Sequence, residues 1–192
     1  CFGVSMREAT EMDPQQRLLL EVGYAALHGL CHRRESLRAA DAGIFLGIMN
    51  ADFAMLLLQS DSVYAATGGT ISIAAGRMSF ALGMQGPCAS YDTACSSALV
   101  ALHGGLSAMR LGECTTALTV AASLMLSPST HTVYARAGML SVDGRCKTFD
   151  AHANGYARGE AVGATMLCFS RSNEAESTSA RAKGSGATVL LD

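Results

Sequence analysis

The sequence lacks long apolar runs, an excess of one charge and paired cysteine motifs, and each absence excludes a class of protein. No apolar stretch reaches the roughly 18 residues that a membrane-spanning helix needs, because Thr119 and Ser123 interrupt the longest one. The formal net charge of −2 over 192 residues provides neither a basic surface for nucleic acid nor an acidic tail. Partners must therefore be inferred from local sites.

The seven cysteines contain no C-x-x-C pair. An odd number without paired spacing favours neither a disulfide framework nor a zinc site. Reduced thiols inside the cell fit best, so we expect a cytoplasmic location, or a plastid one if a targeting segment precedes this chain. His28 and His32 lie one helical turn apart, but no third ligand is near, so no metal site is predicted.

Three short apolar runs are typical of strands that are buried on both faces. They cover residues 42–49, 117–126 and 163–169. Helical patterns lie between them, over residues 71–82 and 97–111 among others. Alternating buried strands and helices predict crossover connections and an α/β fold with a mostly parallel sheet flanked by helices.

The first predicted helix has a strong start signal. Asp13 can cap it, Pro14 suits the first helical position, and Gln16 stands where a capping-box partner would. Near the other end of the chain, residues 141–161 are polar and rich in glycine and aspartate. They predict a long loop over one edge of the sheet, and loops of this kind often carry function.

Cys95 lies where an extended segment turns into a helix. In the stretch QGPCASYDTACSSALVALHGG, residues 88–92 can run extended and a helix begins near Ser96. The positive end of the helix dipole favours a thiolate there, and the unpaired N–H groups can receive an oxyanion. These residues alone leave two interpretations open, a nucleophile in a tight strand-to-helix turn and a small buried structural cysteine.

Several motifs resemble β-ketoacyl synthases, in particular the ketosynthase domains of type I modular polyketide synthases. DTACSSALVALH resembles the active-site signature. Further segments follow the order of that family, namely MDPQQRLLLEV, GIFLGI, YAATGGTISIAAGRMSF, LMLSPST and GRCKTFDAHANGYARGEA. The resemblance implies a thiolase-like fold of two similar halves, usually in a homodimer, and it weakens after Phe169.

The same resemblance implies an acyltransferase that forms carbon–carbon bonds. Cys95 would accept an acyl group from the phosphopantetheine thioester of an acyl carrier protein, or from coenzyme A. A malonyl-type extender would then lose carbon dioxide, and its carbanion would attack the Cys95 thioester in polyketide or fatty-acid biosynthesis. No cofactor is expected to bind directly. Met49 and Asn50 follow the first buried strand and are predicted near the acyl channel.

The resemblance also predicts that residues 1–192 are the amino-terminal half of one ketosynthase domain. The first strand of the family and its two histidine motifs, one EAHGTGT-like and one NIGH-like, do not occur in these residues. We therefore expect them to perform no condensation by themselves. His103, His131 and His152 are weak substitutes; His103 is expected to pack within its helix.

Two other functions stay open. One is a non-catalytic condensing-enzyme-like subunit that binds carrier protein, although relatives of that kind tend to lack the cysteine that is present here. The other is an unrelated cysteine thioester hydrolase that uses His152 and needs no sequence beyond this chain. In the family, the strand before the nucleophile lies at the dimer interface, so residues 86–91 are expected to pair with a second copy.

Overall fold

The computed structural model describes residues 2–29, 41–49, 52–169 and 186–191. Its helices are α1 (Met6–Glu11), α2 (Pro14–Gly29), α3 (Asp52–Leu57), α4 (Ala65–Gly68), α5 (Ile71–Leu82), α6 (Ser97–Arg110) and α7 (Pro128–Arg136), with a 3₁₀ turn at Ala94–Ser96. Its strands are β1 (Ala42–Ile48), β2 (Cys88–Tyr91), β3 (Thr116–Ser123), β4 (Ala161–Phe169) and β5 (Gly186–Leu191). Predicted strands and helices are thus confirmed to within a few residues.

The strands form one sheet in the order β2-β1-β3-β4-β5. β1 runs parallel to β2 and β3, and β4 runs parallel to β5, whereas β3 and β4 are antiparallel. The prediction of an α/β fold with a mostly parallel sheet is therefore confirmed, with one antiparallel pair in the middle. Within the described ranges, no helix has both the length and the apolar character to cross a bilayer.

Each face of the sheet carries its own core, because successive side chains of a strand point to opposite faces. The core against α2 and α5 includes Leu19, Leu27, Ile44, Leu46, Ile48, Met78, Leu82, Leu118 and Val120. The core against α6 is smaller and includes Phe45, Ala101, Ala108, Met109, Ala117 and Leu167. Helix α6 packs on this second face and directs its first turn towards the ends of β1 and β3.

The start of α2 agrees with the sequence prediction except for one bond. Asp13 Oδ1 accepts a hydrogen bond from the Gln15 N–H at 2.7 Å, as a cap should. Gln16 does not close a capping box. Its Nε2 donates to backbone oxygens of the segment 67–70, and the Asp13 N–H donates to Gly68 O at 2.9 Å. The Asp13 N–H therefore bonds to a carbonyl oxygen from a segment distant in sequence. The local pattern predicted the Gln16 side chain as the acceptor of that bond.

Candidate active site

Cys95 lies on the 3₁₀ turn between the end of β2 and the first residue of α6. The residue before it, Ala94, has a φ of 55°. This is the left-handed region, which a residue with a side chain adopts only at a cost. The backbone therefore makes a tight elbow at Cys95, and the side chain of Cys95 is exposed with a free thiol.

Three polar side chains hold this elbow. Asp92 Oδ1 accepts from the Ala94 N–H at 3.1 Å. Ser97 Oγ accepts from the Thr93 N–H at 2.9 Å and donates to Ala94 O at 2.7 Å. Ser96 Oγ donates to Thr93 O at 2.8 Å. The polar residues of the DTACSS motif thus bond to the backbone around the cysteine.

One backbone N–H group of the elbow takes no part in these hydrogen bonds. The N–H groups of Thr93 and Ala94 are bound by side chains, and the Ser96 and Ser97 N–H groups bond to Thr93 O and Ala94 O. The Cys95 N–H has no acceptor among the described residues. It is available to stabilise an oxyanion beside the thiol.

A cavity of about 490 Å³ opens beside Cys95. It lies where the carboxyl ends of the parallel strands β1 and β3 meet the start of β4, the edge at which α/β folds place their ligand sites. Its lining comprises Gly47, Ile48, Met49, Ala94, Cys95, Ser97, Ala98, Ala121, Ala122, Ser123, Tyr156, Arg158, Gly159, Ala161 and Gly163. Most of these residues are small or apolar, so the space suits an apolar chain.

The floor of the cavity is a row of small residues across three strands. Gly47 of β1 is in register with Ala121 of β3, which is in register with Gly163 of β4. A Cβ on Gly47 would lie 2.6 Å from the backbone carbon of Ser97, so glycine lets α6 rest directly on β1. A Cβ on Gly163 would meet no atom within 4 Å, because open space lies above it.

The loop between α7 and β4 forms one wall of the cavity. Hydrogen bonds and an ion pair between its side chains hold it in place. The hydroxyl of buried Ser141 donates to Asp143 Oδ1, and the same Oγ lies 2.9 Å from Asn154 Oδ1. The ammonium of Lys147 lies 2.8 Å from Asp143 Oδ2. Its hydrogen bond, with that of Ser141, holds the pKa of the Asp143 carboxyl well below its usual range. These bonds fix the loop before it reaches the cavity.

Arg158 places a positive charge in that wall. Its guanidinium carbon lies 5.3 Å above the ring of Tyr134 in α7, within cation–π distance. Its Nη1 is buried and has no hydrogen-bond partner within the described part of the chain. Helix α7 is itself anchored by Asp52, whose carboxylate accepts from Thr130 Oγ1 at 2.7 Å and from the Ser127 N–H at 3.2 Å.

The structure brings two of the three predicted site residues together. Met49 lines the same cavity as Cys95. Asn50 lies outside the described residues. Sequence reasoning did not single out Tyr156 or Arg158, although it flagged their loop as functional. The sequence did contain a signal for Gly47. A glycine inside a buried strand often marks a place where another backbone segment approaches closely.

The cavity lining includes none of the three weak substitutes for the family's histidines, namely His103, His131 and His152. His103 is exposed on α6, with Nε2 3.5 Å from Ser107 Oγ, so the expectation that it packs is wrong. His131 is exposed on α7. His152 is exposed in the loop beside Asp150, 3.1 Å from Oδ1. This arrangement does not favour a hydrolase with His152 as the base, because the imidazole is not part of the Cys95 cavity.

Comparison with known proteins agrees with this architecture. The sequence model of β-ketoacyl synthase, N-terminal domain, matches residues 1–173. The hybrid PKS-NRPS synthetase apdA of Emericella nidulans is 41% identical over 169 residues, which is 86% of this chain and 4% of that protein. The spectinabilin polyketide synthase system protein NorA' of Streptomyces orinoci is 42% identical over 178 residues, which is 91% of this chain and 5% of that protein.

Solved structures show the same relationship. The ketosynthase from module 6 of the bacillaene synthase of Bacillus subtilis 168 superposes with a TM-score of 0.77 at 38% identity, over 85% of this chain and 28% of that one. The chain thus spans less than a third of that ketosynthase and a few per cent of the two curated relatives. Its fold is the thiolase-like α/β fold of ketosynthases. The chain therefore belongs to the β-ketoacyl synthase family, and it is similar to the ketosynthase regions of type I polyketide synthases.

Proposed function

We propose that Cys95 is the nucleophile of a condensing enzyme of polyketide synthesis. The observation that carries this proposal is the elbow itself, which places an exposed thiol and an unbonded backbone N–H side by side at the cavity. An inert structural cysteine would instead be expected to lie buried among apolar side chains, as Cys114 does.

The first step is acyl transfer. The Cys95 thiolate attacks the carbonyl carbon of an acyl thioester, and the negative charge that develops on the carbonyl oxygen is stabilised by the Cys95 N–H. The carbon–sulfur bond to the donor breaks, and the donor sulfur leaves as a thiolate, which takes up the proton that Cys95 released when its thiolate formed. The acyl chain then occupies the cavity, whose floor is formed by Gly47, Ala121 and Gly163.

The second step is decarboxylative condensation. A malonyl-type thioester loses carbon dioxide, and the electron pair of the broken carbon–carbon bond forms a carbanion. That carbanion attacks the carbonyl carbon of the Cys95 thioester, and the sulfur of Cys95 leaves as thiolate. Both thioesters are supplied on the phosphopantetheine arm of an acyl carrier protein in this proposal, which is the partner that approaches the open side of the cavity.

The experiment compares Cys95→Ala with Cys88→Ala in the complete protein, including whatever further sequence its gene encodes. Cys88 is an exposed residue with a free thiol, seven positions away, that does not line the cavity. Intact-mass detection of the acyl adduct and formation of the β-ketoacyl condensation product are measured. We expect Cys95→Ala to abolish the adduct and to reduce condensation at least ~1,000-fold, and Cys88→Ala to match the wild type. An adduct retained in Cys95→Ala would refute the assignment, and a wild type that never acylates would indicate the non-catalytic subunit.

We also propose that the outer edge of β2, which no other described strand pairs with, pairs with a second copy of this chain. Pro87 O accepts from the Ile44 N–H at 2.7 Å, so the alternate residues Cys88 and Ser90 direct their backbone groups away from β1. Unpaired edge strands invite association. Cys88→Pro removes one outward N–H from each copy, and we expect it to weaken the dimer roughly 10- to 100-fold, since each lost bond contributes about 1 kcal/mol. Sedimentation of this variant beside Cys88→Ala tests the pairing; equal affinities would contradict it.

A further inference from the structure

Ser97 occupies an unusual place in the elbow. It is the first residue of α6, and only 5% of it is exposed. One hydroxyl group makes two bonds, accepting from the Thr93 N–H at 2.9 Å and donating to Ala94 O at 2.7 Å. These two groups belong to the peptide units on either side of the Thr93–Ala94 segment. The hydroxyl therefore ties together the backbone that enters the elbow and the backbone that leaves it.

The backbone between those two bonds is strained. Ala94 has a φ of 55°, a conformation that alanine rarely adopts and that surrounding contacts must maintain. The peptide unit that follows Ala94 carries the Cys95 N–H. If Ala94 relaxed to an ordinary conformation, this peptide unit would rotate, and the oxyanion donor and the Cys95 side chain would turn with it.

Close packing against the sheet fixes the position of Ser97. The first turn of α6 rests on the backbone of β1, where a Cβ on Gly47 would lie 2.6 Å from the carbonyl carbon of Ser97. Gly47 is itself in the centre of the sheet, paired on both sides. The hydroxyl is thus fixed relative to the sheet, and Ala94 is held relative to the hydroxyl.

We propose that Ser97 is a positioning residue for Cys95. It maintains the left-handed conformation of Ala94, and through it the direction of the Cys95 thiol and N–H towards the cavity. This inference rests on the proposed function of Cys95 as the nucleophile. Ser97 need not touch the substrate through its hydroxyl, because both bonds of that group are made to the backbone of the elbow.

The test uses the complete protein and compares Ser97→Ala with the control Ser107→Ala. Ser107 is another serine of α6, outside the elbow and the cavity lining, and its Oγ lies 3.5 Å from His103 Nε2. We expect Ser97→Ala to slow acylation of Cys95 roughly 10- to 100-fold, with the loss in kcat rather than in KM, since misplacement of a reacting group costs about that much. Ser107→Ala should stay within about threefold of the wild type.

A second substitution separates positioning from a general structural role. Glycine adopts positive φ without a steric cost, so Ala94→Gly should relieve the need for the hydroxyl. We expect Ala94→Gly to restore at least ~10-fold of the activity lost in Ser97→Ala. Ser97→Thr, which keeps the hydroxyl, should also retain more activity than Ser97→Ala.

The outcomes distinguish the two proposals. If Cys95→Ala abolishes acylation while Ser97→Ala equals the wild type, the positioning role is refuted and the nucleophile stands. If Ala94→Gly slows Ser97→Ala further, Ser97 does not act through Ala94 and the inference is overturned. If Cys95→Ala retains its acyl adduct, the proposed function itself fails.

Discussion

The two faces of the sheet differ at the edge where β1 and β3 end. On the face that packs against α2 and α5, large side chains continue to the end of the strands, with Leu46, Ile48 and Val120 all buried. On the face that packs against α6, the next residue of β1 after Phe45 is Gly47. The residue of β3 in register with Gly47 is Ala121. The first face is filled, and the second leaves the cavity beside Cys95.

This difference shows how one strand can serve stability and function at once. Residues of β1 alternate between the faces, so Leu46 supports the core while Gly47 receives the first turn of α6. A change on one face should therefore affect the free energy of unfolding, and a change on the other should affect the chemistry of Cys95.

The largest expected effect is on the filled face. Leu46→Ala removes a fully buried side chain and should lower the free energy of unfolding by about 2–5 kcal/mol, since the cavity left behind adds to the lost burial. Acylation of Cys95 per folded molecule should stay within about twofold of the wild type. Denaturant unfolding and single-turnover loading of the complete protein measure the two quantities. A large loss of loading in the folded fraction would mean that the faces are not independent.

On the other face, Gly47→Ala should slow acylation about 100-fold, because the new methyl group would have to displace the first turn of α6 that carries the elbow. Gly76→Ala, in α5 and outside the lining of the cavity, is the control. Its new methyl group meets no atom within 4 Å and should leave the rate within about threefold. Equal rates for the two variants would contradict the close packing of α6 on Gly47.

A third comparison concerns thiols in and away from the elbow. Burial raises the pKa of Cys88, Cys114 and Cys168 above the ordinary thiol value, so these side chains remain protonated near neutral pH. Burial affects the sulfur of Cys88 even though the residue as a whole is exposed. We expect limiting iodoacetamide at about pH 7.5 to label Cys95 roughly tenfold faster than these three.

Raising the pH should narrow that gap, because thiols with a raised pKa lose their protons only at higher pH. Peptide mapping by mass spectrometry gives the rate for each site, and a Cys95→Ser variant shows whether the fast phase belongs to Cys95. Faster labelling of Cys88 or Cys168 near neutral pH would contradict the reactive elbow.

The smallest expected effect is at the rim of the cavity. Met49→Phe should shift the preference towards shorter acyl chains by a few-fold, because a bulkier side chain takes space from the cavity that Met49 lines. Met49→Leu, which changes little in volume, is the control and should keep the wild-type profile. Loading rates for a series of acyl thioesters measure the shift. An unchanged profile would remove Met49 from the acyl site.

Local sequence patterns predicted the positions of helices and strands well. They predicted poorly which distant residues bond to or cover them. Helix α5 begins and ends where its pattern indicates, and the buried runs became β1, β3 and β4. Gln16 bonds to the segment 67–70 instead of its own helix start, and His103 lies exposed where packing was expected. Periodicity reports which side of an element is apolar, but it carries no information about which distant segment will supply a hydrogen bond.

By itself, the sequence determined the alternation of buried strands and helices, the turn at Cys95 and the family motifs, because these depend on residues within a few positions of each other. Only the tertiary structure decided that Tyr156 and Arg158 share a cavity with Cys95, and that Gly47 lies beneath Ser97. The physical reason is that these contacts join segments about 50 to 60 residues apart. They form only when β1 pairs with β3 and β3 with β4, which brings the strand ends, the loop and the first turn of α6 to one edge of the sheet.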